Sequence, residues 1–222
     1  MKKAYRFIFD LDGTLYSFDK GRGSTFAGSK FYMDLKENIC AFLMRHLKVS
    51  KKEALEEYIR INKLYKGEVS LGVRQEYGID RDKYFENTWN LNPKKYVLQN
   101  KKLSSIFTPL IGRATLLTAA PRIWAIRVLQ RLNLENTFGE SIYTGEPILR
   151  KPNPLIFQKI AEDLSVDASR IISIGDQEES DILPAKSIGM KTIRIGGDAT
   201  EADFQVENID DAINLLRKEE YI

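Results

Sequence analysis

Phe7-Ile8-Phe9-Asp10-Leu11-Asp12-Gly13-Thr14-Leu15 runs from a short apolar segment straight into two carboxylates two residues apart. The apolar triplet reads as a buried strand, and the acids sit at its carboxyl end. Side chains at i and i+2 of an extended chain project to one side, with Cα atoms roughly 6 to 7 Å apart. Two anions that close repel, so either a cation lies between them or one keeps its proton. Both arrangements suit a site in which one carboxylate attacks and the other moves a proton. Taken alone, Asp-x-Asp-Gly is also an ordinary turn. The rest of the chain decides between the two readings.

After Tyr16 the stretch Ser17-Phe18-Asp19-Lys20-Gly21-Arg22-Gly23-Ser24 is polar and glycine-bearing and reads as a loop or hinge. Helical patterning then takes over. Phe31, Leu35, Ile39, Phe42 and Leu43 recur at spacings of three and four and mark one apolar face. Ser50 with Glu53 forms a capping box for a helix expected to stop at Gly67, Asp80 caps a further helix, and Asn92-Pro93 supplies an N-cap with a proline behind it. No strand signal interrupts residues 24–100.

Strand and helix alternate again from Ala114-Thr115-Leu116-Leu117 onward. Pro121 opens a helix, Ser141-Ile142-Tyr143 reads as a weak strand, and Asn153-Pro154 starts the next helix. Arg170-Ile171-Ile172-Ser173-Ile174 is a clear strand. A helix through Ile182, Ala185 and Ile188 should end at Gly189, followed by the strand 191–195 and a last helix around Ile213 and Leu216. Strands separated by helices need crossover connections, hence an α/β fold with a parallel sheet. Ligands of such sheets lie beyond the carboxyl ends of the strands. That rule selects Asp10 and Asp12 after the first strand, Thr118 after Leu117 and Asp176 after Gly175, with Lys151 just ahead of a helix N-terminus.

Those residues fall in four strings that resemble the haloacid dehalogenase superfamily of phosphohydrolases. They are Asp10-Leu11-Asp12-Gly13-Thr14, Leu116-Leu117-Thr118, Lys151-Pro152, and Gly175-Asp176-Gln177-Glu178-Glu179-Ser180-Asp181, in the superfamily's order. The helical stretch between the first and second is similar to the C1 cap of its subfamily I. The resemblance implies a Rossmann-like doubly wound parallel sheet core, residues 1–17 and 101–222, with an inserted α-helical cap domain, residues 18–100. Two departures stand out. Ala119 and Ala120 follow Thr118 where the superfamily often has Asn, and Asp176 and Asp181 are far apart with Glu179 between them.

The residue types carry the chemistry further. An anionic phosphate ester repels a carboxylate nucleophile, so attack needs positive charge nearby. Mg²⁺, which prefers hard oxygen ligands, suits Asp10, the main-chain carbonyl of Asp12, and Asp176, with Asp181 in support. Lys151 supplies a fixed positive charge, and Thr14 and Thr118 are expected to hold phosphoryl oxygens. Asp10 is then the nucleophile that forms an aspartyl-phosphate, and Asp12 the acid that protonates the leaving oxygen and later activates water. A halide leaves without a proton whereas an alkoxide does not, so Asp12 favours phosphoryl transfer over dehalogenation without choosing between hydrolysis and transfer. A mutase-like phosphotransfer between sugar positions remains an alternative. So does a receiver-like phospho-acceptor module, although its acceptor Asp belongs on a middle strand and the third strand here ends in Thr144-Gly145.

Other site classes find little support. With 34 basic and 31 acidic residues in 222, the net charge of +3 gives no case for a nucleic-acid surface, and Lys94, Lys95, Lys101 and Lys102 read as a solvated face. Gly21-Arg22-Gly23-Ser24 is neither a P-loop nor a full dinucleotide fingerprint. Tyr65 and Trp89 at helical positions read as core, and His46 as structural. Lys2 and Lys3 precede an apolar run too short for a signal peptide, and no run approaches a membrane span. The lone Cys40, on the buried helix face, reads as packing and fits a reducing cytoplasm. The expected partner is a small phosphorylated metabolite, with no nucleic acid and no membrane, the oligomeric state being open. Lys30, Arg74 and Tyr16 are the candidate cap or hinge contacts.

Overall fold

The computed structural model describes residues 4–18, 26–198 and 200–222. Lys2, Lys3 and the string Gly21-Arg22-Gly23-Ser24 lie outside them. Among the described residues, six strands form one sheet: β1 (Arg6–Phe9), β2 (Ala114–Leu117), β3 (Ile142–Tyr143), β4 (Ile171–Gly175), β5 (Lys191–Ile195) and β6 (Phe204–Val206). Their order is β3-β2-β1-β4-β5-β6 and every pairing is parallel. β1 is central, with Phe9 opposite Leu116 on one side and Ile174 on the other.

Both faces of that centre are covered, as the unbroken apolar run of β1 requires. Phe7 and Phe9 enter the larger apolar cluster together with Leu116, Ile172 and Ile174, while Ile8 enters a second cluster with Leu117, Ile171 and Phe157. The alternation is the period-two geometry of extended chain, and it leaves Asp10 as the first residue past the sheet, its N–H bonded to the Ile174 carbonyl at 2.9 Å.

Among the described residues, four helices separate β1 from β2: α1 (Lys30–Leu47), α2 (Lys51–Leu64), α3 (Val69–Tyr77) and α4 (Arg81–Thr88), followed by the single turn α5 (Leu103–Ile106). The capping box of α2 is present, with Ser50 and Glu53 exchanging side-chain and backbone hydrogen bonds, and Asp80 caps α4. The sequence carries no N-cap signal that marks α3. Gly72 sits in its middle, where a glycine weakens a helix by about 1 kcal/mol, and Glu68 gives no side-chain cap. The glycine instead permits close packing, since a Cβ there would overlap Ile61 of α2 and Tyr65 just beyond its end. Asn92-Pro93 starts only a 3₁₀ turn, Pro93–Lys95.

Beyond β2 come α6 (Arg122–Leu132), α7 (Glu135–Phe138), α8 (Pro154–Leu164), α9 (Leu183–Ser187) and α10 (Ile209–Lys218). Asn153 accepts from the Leu155 N–H at 3.0 Å and fixes the start of α8, two residues after Lys151. The helix expected through Ile182 begins as a π turn, Glu178–Ile182, before tightening into α9. β6 was also not foreseen, because Phe204-Gln205-Val206 is short and lies among acidic residues. No helix among the described residues is long and apolar enough to cross a membrane.

Candidate active site

Asp10 and Lys151 meet over the carboxyl ends of β1 and β4. Lys151 Nζ donates to Asp10 Oδ1 at 2.7 Å and also to Asp181 Oδ1. All three side chains are buried, with Asp181 only 1% exposed. Burial works against the Lys151 charge, yet Asp10 and Asp181 outweigh it and hold the ammonium above its ordinary range. The second oxygen of Asp10, Oδ2, is buried without a hydrogen-bond partner among the described residues. An unpaired buried carboxylate oxygen is costly, and burial pushes the Asp10 carboxyl up, Lys151 pulls it down, and Asp12 adds to the rise.

Asp176 follows β4 and completes an acidic triangle. One oxygen each from Asp10, Asp176 and Asp181 lie within 4.8 Å of one another. In the metal-free chain, burial and then the two neighbouring acids push Asp176 up to about 8, and burial, against Lys151, pushes Asp181 up to about 6. Two glycines make room for the acids. A Cβ on Gly13, whose φ is +97°, would overlap the Asp176 carboxylate, and one on Gly175 would overlap Asp181. The π turn answers the spacing question raised by the sequence: it turns Asp181 inward, where its Oδ2 accepts from the Gln177 N–H at 3.0 Å, and leaves Glu179 exposed. The donor set of three carboxylates, with an orphaned oxygen among them, fits a hard divalent cation such as Mg²⁺.

Asp12 stands apart from that triangle. Its Oδ1 accepts from the indole N–H of Trp124 at 2.7 Å and from the Tyr16 hydroxyl. Burial raises its proton affinity, while Tyr16, Trp124 and Lys151 hold it partly down. Tyr16, expected as a cap or hinge contact, is therefore buried against the acid.

The other expected site residues fall as follows. Thr118, 1% exposed, accepts from the Ala120 N–H at 3.0 Å and lines the cavity above Asp10. Thr14 directs its hydroxyl to Asp176 Oδ1 at 3.4 Å, toward the acidic triangle. Lys30 pairs with Asp34 on the outer surface of α1, and Arg74 is exposed on α3; neither lines the cavity. Trp89, read as core, is half-buried and does line it. His46 bonds the Phe42 carbonyl at 2.9 Å within α1, and Cys40 is buried.

The sequence matches the haloacid dehalogenase-like hydrolase family over residues 6–189, a span that holds Asp10, Asp12, Thr118, Lys151, Asp176 and Asp181. The chain belongs to that family. Among relatives of this hydrolase, the glyceraldehyde 3-phosphate phosphatase of Methanopyrus kandleri is 35% identical over 100 residues, 40% of this chain and 43% of that one. The pyrimidine 5'-nucleotidase YjjG of Escherichia coli is 26% identical over 201 residues, 83% of each. For the glyceraldehyde 3-phosphate phosphatases of M. kandleri and Pyrococcus abyssi, the chain spans only 43% and 26% of the relative's length. Among solved structures, an HAD phosphatase from Thermococcus onnurineus superposes with a TM-score of 0.66 at 21% identity, covering 96% of this chain and 97% of that one. A 2-haloacid dehalogenase from Pseudomonas syringae gives 0.63 at 20%, covering 98% and 100%. At such identities the likeness concerns the fold.

Residues that the sequence did not reveal surround this hydrolase's cavity. Arg81 of α4 is buried and reaches the carbonyls of Gly145, at 3.1 Å, and Glu146, beyond β3. Arg150 pairs with Glu68 at 2.5 Å. Trp124 reaches Asp12 from 112 residues away. No local pattern marks any of them, since their partners are distant in sequence.

Proposed function

We propose that this chain is a Mg²⁺-dependent phosphomonoesterase that works through an aspartyl-phosphate on Asp10, with residues 18–100 as the cap over the site. The observation that carries the reading is that Asp10, Asp12, Thr118 and Lys151 open into one cavity of about 420 Å³, Asp10 having a carboxylate oxygen without a partner among the described residues and Asp12 a proton affinity raised by burial.

Asp10 attacks phosphorus, forming a new P–O bond as the P–O bond to the substrate's alcohol breaks. Asp12 gives its proton to that leaving oxygen, a contribution of typically about 10² to 10⁴ in rate. Asp12 then takes a proton from water, whose oxygen attacks phosphorus and frees Asp10 and orthophosphate. Lys151 offsets the charge of the phosphoryl oxygens and keeps Asp10 oriented, while Thr118 offers its hydroxyl to the same oxygens. Asp10, Asp176 and Asp181 would hold the Mg²⁺, with the Asp12 main-chain carbonyl, and the ion supplies the positive charge that lets two anions approach. Thr14 orients Asp176. A cytoplasmic setting, argued from the single cysteine, belongs to the same proposal.

Dehalogenase neighbours share the fold, but a dehalogenase has no use for a proton donor at Asp12, and here two side chains are committed to holding one. The test is orthophosphate release from a panel of phosphorylated metabolites with and without Mg²⁺, using Asp10→Asn as the blank. Release by that variant at the wild-type rate would remove Asp10 as nucleophile.

A further inference from the structure

The cavity has two unlike ends. One holds the acids and Lys151. The other, formed by the insert, is walled by aromatic rings: Phe26, Tyr32 and Trp89 keep part of their surface open, with Tyr58, Tyr84 and Phe85 buried behind. Phe26 and Tyr32 lie 5.2 Å apart between centroids, and the Tyr32 and Tyr58 hydroxyls satisfy each other at 2.7 Å. What faces the alcohol half of a substrate is therefore ring carbon more than hydroxyl.

The cations of the cavity all donate hydrogen bonds within the protein. Among its described residues the cations are Arg81, Arg150 and Lys151. Arg81 is spent on Ser70 Oγ and on the carbonyls of Gly145 and Glu146, Arg150 on Glu68 and the carbonyls of Pro147 and Ile148, and Lys151 on Asp10 and Asp181. Arg150 and Lys151 are paired with carboxylates and Arg81 meets only neutral acceptors, so it is the aromatic wall that disfavours a charged alcohol half, since burying a charge against ring carbon is expensive. A bare sugar would find few free polar partners on the aromatic wall. One is available: the Asn62 side-chain amide, on α2, faces the cavity with no hydrogen-bond partner among the described residues. At about 420 Å³ the space lies within the size of small-molecule pockets generally.

Resting on the phosphomonoesterase reading above, we propose that the site selects phosphomonoesters whose alcohol half ends in an uncharged planar aromatic ring, seated among Phe26, Tyr32 and Trp89, with Asn62 reading a polar ring edge. Stacking on an aromatic wall tolerates any flat ring, whereas an amide pairs with the ring nitrogens and carbonyls of a nucleobase and gains nothing from a plain aryl group.

The test compares kcat/KM, with Mg²⁺, for four esters of primary alcohols: uridine 5′-monophosphate, ribose 5-phosphate, benzyl phosphate and phosphoglycolate, with 4-nitrophenyl phosphate as a generic substrate. The first two differ by the base alone. Uridine 5′-monophosphate should exceed ribose 5-phosphate by roughly tenfold or more, the scale of one base stacked on an aromatic side chain. Asn62→Ala should lower the ratio of uridine 5′-monophosphate to benzyl phosphate kcat/KM. If benzyl phosphate matches the nucleotide and the Asn62 substitution leaves that ratio unmoved, the ring specificity stands and the nucleobase reading falls. Ribose 5-phosphate or phosphoglycolate turned over as well as the aromatic esters would overturn the proposal and leave the phosphatase reading intact. No turnover of any ester, 4-nitrophenyl phosphate included, would overturn both.

Discussion

The indole N–H of Trp124 donates to Asp12 Oδ1 at 2.7 Å, and the Trp124 ring packs on Phe31 of α1 with centroids 4.5 Å apart. The acid is thus held by a fully buried side chain that is itself seated on the inserted helices. Trp124→Phe keeps an aromatic ring and removes the donor. Turnover of a benzyl ester should fall by roughly tenfold, the worth of one charge-assisted hydrogen bond. 4-Nitrophenyl phosphate, whose leaving group needs less help from an acid, should suffer less. Equal losses on the two esters would assign the effect to packing and not to proton delivery.

The acidic triangle makes a second prediction, about stability and pH. Burial and the neighbouring acids push the Asp176 carboxyl up to about 8 in the metal-free chain, so between the ordinary value of 3.8 and about 8 the folded state binds more protons than the unfolded one. The slope of unfolding free energy with pH is then negative in that window: this contribution is fully present below 3.8 and is lost as pH rises through about 8. In EDTA the melting temperature should therefore drift down from pH 5 to pH 8. Mg²⁺ should raise it more at pH 8 than at pH 5, and Asp176→Asn should flatten the drift while abolishing the Mg²⁺ gain. A wild-type curve that does not respond to Mg²⁺ at pH 8 would speak against a cation among these carboxylates.

Much of this arrangement was legible in the chain because its signals are local. The apolar triplet ahead of Asp10, the Ser50/Glu53 box, the Asn153-Pro154 cap and the strand at Ile171–Gly175 each rest on residues within one turn or one strand of each other. The rule that ligands lie past the carboxyl ends of parallel strands then brought Asp10, Lys151 and Asp176 together. What escaped depends on distant partners. Gly72 disguised α3, yet its reason is the α2 surface. Asp181 is aimed by a π turn that no spacing rule anticipates, and the placement of Tyr16, Trp124 and Arg81 is decided by tertiary packing. Trp89 shows the limit of helical periodicity, which marks a residue as inward without distinguishing a core from a cavity.

A third prediction concerns the attachment of α1. The Tyr96 hydroxyl donates to Asp34 Oδ2 at 2.6 Å, and with help from Lys30 it holds the Asp34 carboxyl below its ordinary value of 3.8. Tyr96→Phe keeps the ring edge-on to Phe31 and should cost about 1 kcal/mol at neutral pH, the usual worth of such a bond. Because the shift is downward, the contribution is present above 3.8 and is lost as pH falls below it. Urea midpoints of wild type and variant should differ at pH 7 and converge toward pH 3.5. A gap that stays constant with pH would mean that packing alone was disturbed.

Arg81 carries the fourth. It sits on α4 of the insert, buried, and donates to Ser70 Oγ at 3.1 Å and to the Gly145 and Glu146 carbonyls of the core. The Gly145 loop is itself pressed against the segment after Thr118: a Cβ on Gly145 would overlap the Ala119 carbonyl, and the Gly145 N–H bonds Ala120 O at 2.9 Å. One guanidinium therefore ties the insert to the loop that packs against the segment after Thr118. Burial, and after it the neighbouring Arg150, disfavour its charge, so the substitution is a contest between relief of that cost and the loss of donors. Arg81→Met fills much the same volume but leaves two carbonyls and a hydroxyl without their donor, each worth about 1 to 3 kcal/mol when buried. The donors should win. The variant should lose stability, be cut faster between insert and core by a protease under native conditions, and show a raised KM with kcat changed less. Unaltered proteolysis together with an unaltered KM would mean that the insert is held over the site by apolar packing alone.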